Sequence, residues 1–263
     1  MANLLFIGDI VGKGGRKTVK LVVPRLMNKY NCSFCIANGE NLSHGSGANE
    51  KTVKDLDGVV DAITLGDHVW DQNCFEGEIS YLNNVIRPAN LSKKCPGVGY
   101  RIFNISKKSI AVINLLGSVF IKNSPHYCPF GIIEEVLEDV NKITNCIFVD
   151  FHAEATGEKM AMGRFLSGKV TAVMGTHTHV QSSDATIFDN HTAYISDVGM
   201  VGAVDSILGR RIDDVVYRFY YNMPRRLRVV EEGKFRLNAI IISYNPMNGI
   251  ADKIIPISEY IDI

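Results

Sequence analysis

Five apolar runs, NLLFIGD, SFCIANGEN, DAITLGDH, NCIFVDFHAE and TAVMGTHTH, set the strongest limit on what this chain can fold into. Continuous apolar runs bounded by turn residues read as buried strands, partly parallel. Helix-like stretches, GRKTVKLVVPRLMNKY, GIIEEVLEDVNKI and EATGEKMAMGRFL, lie between most of them, which predicts an α/β protein. Three further stretches read as antiparallel hairpins. GYRIFNISKKSIAVINLLG turns near Ser106, Lys107 and Lys108, TIFDNHTAYISDVG at Asp189–Asn190, and FRLNAIIISYNPMNGIADKIIPI at Asn248–Gly249. A purely parallel sheet has no need of hairpins. A mixed two-sheet sandwich with helices outside fits better, as a single domain over residues 1–263.

The five runs share a second property: each ends in a residue with metal-binding chemistry. The first ends in Asp9, the second in Glu40 and Asn41, the third in Asp67 and His68, the fourth in His152, and the fifth in His177 and His179. Ligands of α/β sheets bind at the carboxyl ends of strands, so these side chains are expected at one edge. Any one of them has an ordinary explanation. An Asp after a strand usually caps a helix, and a lone His is usually a satisfied, partly buried one. Two histidines two apart in an extended segment point to the same side, which by itself also arises by chance. Recurrence over five strand ends is what favours a site. Acid, amide and imidazole together suit divalent transition metals. The donors outnumber the needs of one tetrahedral ion and suit two ions about 3.5–4 Å apart that share a carboxylate.

The remaining residues narrow the function. Lys plus Arg and Asp plus Glu both number 28, so the formal net charge is zero. That argues against a protein that coats long nucleic acid, while leaving small nucleotides open. The opening MANLLFIGDIVGKGG lacks a basic region and a cleavage site, and no apolar run is long enough to span a bilayer, so a cytoplasmic protein is expected. Of six cysteines, Cys32 and Cys35 form a CxxC, but inside an apparent strand and with no second pair, so they read as core thiols. His126 and His191 read as loop residues, as does His44 in NLSHGSGA. Arg210 and Arg211, and Arg225, Arg226 and Arg228, read as a solvated face or a subunit contact. IDDVVYRFYYN reads as an amphipathic helix.

GDIVG at 8–12, NGEN at 38–41, LGDHVWD at 65–71, RPAN at 87–90, DFHAEATGEK at 150–159, GTHTHVQ at 175–181 and AYISDVGM at 193–200 resemble the YmdB-like family of calcineurin-like metallophosphoesterases. The motifs run in family order over nearly the whole chain. Val11 stands where the wider superfamily has a histidine, and Glu40 where it has an aspartate; both favour the narrower family. The resemblance implies a four-layer α/β/β/α sandwich with mixed sheets. It implies one ion held by Asp9, Glu40, Asn41 and His179, and another held by Glu40, Asp67, His152 and His177. Iron or manganese are the implied metals, a homo-oligomer the implied state, and cyclic nucleotides of the 2′,3′-cyclic AMP type the implied substrates. The chain departs from the family at Asp67, where the pattern has Asn. Against +4 from two divalent ions, Asp9, Glu40 and Asp67 supply −3, so the centre would be less positive than the family's.

The expected activity is hydrolysis of small phosphodiesters by a metal-activated hydroxide, with His68 as the general acid protonating the departing ribose oxygen. The competing role for His68 is support of the metals. Competing functions are a metal-binding regulatory module with little catalysis, which Asp67 favours, and a phosphomonoesterase or RNA nuclease on the same site.

Overall fold

The computed structural model describes residues 1–105, 108–121, 123 and 127–263. The chain begins with β1 (Ala2–Ile7), β2 (Asp9–Ile10), α1 (Gly12–Lys29), β3 (Cys32–Asn38), α2 (Glu50–Lys54), β4 (Ala62–Thr64), α3 (Phe75–Glu78) and β5 (Val85–Ile86). It continues with β6 (Tyr100–Ile105), β7 (Lys108–Leu116), α4 (Pro129–Val140), β8 (Ile147–His152), α5 (Thr156–Phe165), β9 (Ala172–Thr176), β10 (Thr186–Phe188) and β11 (Thr192–Ile195). It closes with β12 (Met200–Ala203), α6 (Ile212–Tyr221), β13 (Lys234–Tyr244) and β14 (Ala251–Asp262).

Two mixed sheets result. One runs β2-β12-β13-β1-β3-β4-β5, with β14 also paired to β13; the other runs β10-β11-β9-β8-β7-β6. The pairs β1–β3, β3–β4 and β4–β5 are parallel in the first sheet, as are β7–β8, β8–β9 and β9–β11 in the second. All three expected hairpins form, β6–β7, β10–β11 and β13–β14. Asp189 and Asn190 take φ of 50° and 54°, the left-handed pair that a tight two-residue turn needs. The turn expected at Ser106 and Lys107 lies outside the described residues, as does His126.

Strand alternation builds the layers. Leu4 and Phe6 of β1, Phe34 and Ile36 of β3, Val112 of β7, Phe148 of β8, and Ile240 and Ile242 of β13 form the core between the sheets. The alternate residues Leu5, Ile7 and Cys35 face a second core with Val19, Val22, Val23 and Leu26 of α1. Ile147, Val149 and Phe151 face a third with α4 and α5. The architecture is therefore the mixed two-sheet sandwich with helices outside that the runs and hairpins predict, in the α/β/β/α form that the resemblance implies. Among the described residues no helix is long and apolar enough to cross a membrane. Cys32 and Cys35 are free thiols within β3, and burial pushes Cys32 up to about 11, which suits core residues rather than a redox pair.

Four of the five late arginines are exposed as expected, but three of the five also brace the fold. Arg210 donates to the carbonyls of His44, Gly45 and Leu227, bracing the glycine-bearing loop. Arg225 Nε (2.8 Å) and Arg228 Nε (2.7 Å) bind the buried carboxylate of Asp214 in α6. These three are tied into the fold, while Arg225 and Arg228 stay exposed on a solvated face. An isolated sequence reads their charge but not the carbonyls and carboxylate waiting for it.

Candidate metal centre

At the carboxyl ends of the parallel strands the inter-sheet layer turns polar while the alternation continues. Asn38 follows Phe34 and Ile36, Thr64 follows Ala62, Asn114 follows Ile110 and Val112, Asp150 and His152 follow Phe148, and Thr176 follows Ala172 and Met174. All six polar residues are buried. Asp150 organises them. It accepts from Asn38 Nδ2 (2.9 Å), from Thr64 Oγ1 and from Thr176 Oγ1 (2.7 Å). With its proton given to Asp150, the Thr176 oxygen accepts from His152 Nδ1 at 2.9 Å. This fixes the His152 tautomer and leaves Nε2 as its outward ligand atom, the arrangement that second-sphere groups impose on metal-binding histidines.

His152 Nε2 lies 3.0 Å from Glu40 Oε2 and 3.4 Å from Asp67 Oδ1, and 2.9 Å from His177 Nδ1. Glu40, Asp67, His152 and His177 thus offer converging ligand atoms, and Asp9, Glu40 and His179 offer a second set that shares Glu40. Asn41 joins the second set, with Oδ1 3.0 Å from His179 Nε2. Every residue expected at the edge is brought there. Gly66 allows the convergence: a Cβ on it would sit 2.1 Å from Glu40 Oε2 and 2.4 Å from the His152 ring.

The two late histidines converge by a different route from the one expected. β9 stops at Thr176, and His177 and His179 have φ of 104° and 64°, so they do not continue the strand. They enter different sets, one each. Backbone held at positive φ in non-glycine residues needs support. The buried Asp197 supplies it: Oδ2 accepts from Thr178 N (2.9 Å) and Oδ1 from Gly199 N (2.8 Å). Lys159 of α5, also buried, donates Nζ to Asp197 Oδ2 at 2.7 Å. Gly199 in turn holds Asp9 N through its carbonyl at 3.0 Å. One ion pair therefore fixes the backbone around His177, His179 and Asp9.

The electrostatics call for cations. Burial and the charges of Glu40, Asp197 and Asp150 push Asp9 well above its usual value, against the pull of His152. Burial disfavours ionised Glu40 and Asp67 as well, yet the charge and hydrogen bond of His152 hold both below theirs. His152 is raised well above a free imidazole, because Glu40, Asp67 and Asp9 outweigh its burial. Burial and the neighbouring His152 charge push His177 down to about 4. Among the described residues the buried Asp9 Oδ1 and Asp67 Oδ1 make no well-formed hydrogen bond, the approach of His152 Nε2 to Asp67 Oδ1 being a long 3.4 Å. Two orphaned carboxylate oxygens, one in each set, are what a pair of divalent cations would occupy, so the residues fit the group.

Beside the sets lies a dyad. His68 is partly exposed, and its Nδ1 lies 2.8 Å from Asp71 Oδ2, which also accepts from Ser46 Oγ. Glu154 Oε2 lies 3.1 Å from His177 Nε2 on the solvent side. Sequence reasoning named neither Asp71 nor Glu154, nor Asp150, Lys159 or Asp197. The signal lay in short stretches: Asp71 stands three residues after His68, and Asp150 two before His152.

A sequence profile described as "YmdB-like protein" matches residues 5–257. The chain belongs to the YmdB-like family. It is 44% identical over 253 residues to the 2′,3′-cyclic-nucleotide 2′-phosphodiesterase of Bacillus subtilis, covering 96% of this chain and 95% of that one. The crystal structure of a phosphatase from Mycoplasma pneumoniae superposes with a TM-score of 0.91 at 32% identity, over 99% of this chain and 94% of the other. A protein from Thermus thermophilus does so with a TM-score of 0.90 at 33% identity, over 98% and 99%. The YmdB-like resemblance read from the motifs is thus upheld by both sequence and fold.

Proposed function

We propose that this YmdB-like chain is a dinuclear-metal phosphodiesterase acting on small cyclic nucleotides of the 2′,3′-cyclic type. It is a hydrolase of phosphoesters, as its relatives among phosphatases and phosphodiesterases indicate. The observation that carries the finer reading is the pair of ligand sets sharing Glu40, each with one orphaned buried carboxylate oxygen. Asp9, Glu40, Asn41 and His179 would hold one ion, and Glu40, Asp67, His152 and His177 the other. Mixed imidazole and carboxylate donors suit first-row metals such as iron or manganese. When bound, such ions supply Lewis acidity to the phosphoryl group and to the attacking water.

The protein's own groups do the rest. Asp150 and Thr176 keep the His152 ring aligned, and Lys159 and Asp197 hold the loop of His177 and His179. Asp71 accepts from His68 Nδ1, so when the ring holds a second proton that proton sits on Nε2 and is the one passed to the departing ribose oxygen. The substrate class is supported by the activity of the Bacillus subtilis relative.

The test is hydrolysis of 2′,3′-cyclic AMP by metal-stripped protein refilled with manganese or iron, with elemental analysis alongside. Turnover with two ions per chain is the expected result. Two ions without turnover, over a broad pH range and with other phosphodiesters, would move the reading to a binding module. Asp67 would then be the residue to question: Asp67→Asn, which restores the family residue, should change metal preference or the pH–rate profile. Neither changing would remove Asp67 from consideration. The homo-oligomer implied by the resemblance is tested by sedimentation.

A further inference from the structure

The chain has a single tryptophan, Trp70, and it stands three residues after the candidate ligand Asp67. A cavity of about 370 Å³ joins the two. Gly66 and Asp67 line it, as do Trp70, Leu91, Leu116 and Asn123. Trp70 and Cys95 also line a neighbouring cavity of about 440 Å³. The first cavity has the size and mostly apolar character of small-ligand sites. Among the described residues no lysine or arginine lines it, so it does not suit a second phosphate.

Its walls are braced. Asn90 donates to the Leu116 carbonyl at 2.7 Å and accepts from Leu116 N at 2.9 Å. The buried Arg87 donates to the carbonyls of Cys95 (3.1 Å) and Pro96 (2.9 Å). Asn123 Nδ2 donates to the Asp67 carbonyl at 3.0 Å. These bonds give RPAN a purpose: they shape a slot that abuts the metal centre at Asp67 and contains an aromatic ring.

We infer that this cavity is the nucleobase subsite, with Trp70 the aromatic surface against which the base of a nucleoside cyclic phosphate packs. The inference rests on the phosphodiesterase reading above. A phosphoryl group at the paired ligand sets lies next to Asp67, and the rest of the nucleotide must extend from there. A mostly apolar cavity that holds an indole, with Asp67 and Asp71 in its lining and no basic side chain among the described residues, suits an uncharged planar heterocycle. Aromatic side chains bind bases through their π-faces with little regard to sequence.

The experiment compares adenosine 2′,3′-cyclic phosphate with the base-free methyl riboside 2,3-cyclic phosphate, using the metal-loaded enzyme. The base should lower KM by about tenfold or more, the scale of one base–aromatic contact. In Trp70→Leu the ratio of the two KM values should fall toward one; a ratio taken within each protein cancels any general loss of activity. Should that variant fail to fold, the wild type still decides. Its emission arises from Trp70 alone and should change on saturation with adenosine 3′-monophosphate and not with ribose 3-phosphate. Equal KM values in the wild type, or emission indifferent to the base, would overturn the subsite. Failure to hydrolyse either substrate would overturn the phosphodiesterase reading instead, and the emission titration would still judge the cavity.

Discussion

The layer between the two sheets has two halves built from the same strands on the same alternation. In one half the inward positions are Phe34, Val112, Phe148 and Met174; in the other they are Asn38, Asn114, Asp150 and Thr176. Both halves are closed to solvent. The apolar half is held by non-directional burial, which tolerates shape change gradually. The polar half is held by directed bonds, where one missing partner leaves a buried group unsatisfied. The candidate metal centre is therefore an end of the core rather than a cleft added to its surface. Damage to one half should be read in stability, and damage to the other in metal binding and turnover.

The sharpest break is expected at Glu40. Glu40→Gln removes the one carboxylate common to both sets, so elemental analysis should find both ions lost and turnover abolished. His68→Ala should lower kcat by about 10²- to 10⁴-fold while the ions stay bound. Loss of metal in that variant would make His68 a supporting residue. In the apolar half, Phe148→Ala should cost about 3–5 kcal/mol in denaturant unfolding. That side chain is fully buried and meets Tyr244 edge-on at 5.2 Å. Any turnover by its folded fraction should stay near normal, and a specific loss of metal affinity there would blur the two halves.

A smaller effect is expected at the Lys159–Asp197 pair. Lys159→Met should weaken metal affinity by about 10- to 100-fold, the scale of groups that orient ligands, in a metal titration read by calorimetry. The smallest concerns Asp214 of α6, which belongs to neither half. Arg228 and Arg225 hold the Asp214 carboxyl well below its ordinary value. A depressed carboxylate stabilises the fold above its unfolded pKa, and that stability is lost as pH falls through the acid range. Asp214→Asn should therefore flatten the acid limb of a stability–pH curve and leave turnover at neutral pH unchanged.

Much of this is legible from residue pattern. The five strand runs mark the parallel strands, and the Asp189–Asn190 pair marks its hairpin. The ligands proposed for the edge fall into two sets that share Glu40, with Asn41 joined to one and His68 beside them. What escapes depends on contacts between distant segments. Arg210 reads as a surface charge until the carbonyls of His44 and Gly45 are beside it. Asp150 sits inside an apolar run, where only the partners Asn38, Thr64 and Thr176 from three other strands explain a buried acid. The His177–Thr178–His179 geometry escapes because strand periodicity ends at Thr176, before the histidines begin. The positive φ of both histidines depends on Asp197, which lies far along the chain.

The division of the donors between the sheets has a mechanical consequence. Asp9, Glu40, Asn41 and Asp67 hang from the β1-containing sheet, whereas His152, His177 and His179 hang from the other. Each candidate set draws on both, so bound ions would rivet one sheet to the other across the seam. Acid would loosen the rivets by protonating the donors that hold them. Chelation should then lower the unfolding temperature of the whole sandwich rather than of one loop, and acid release of metal should precede unfolding instead of following it.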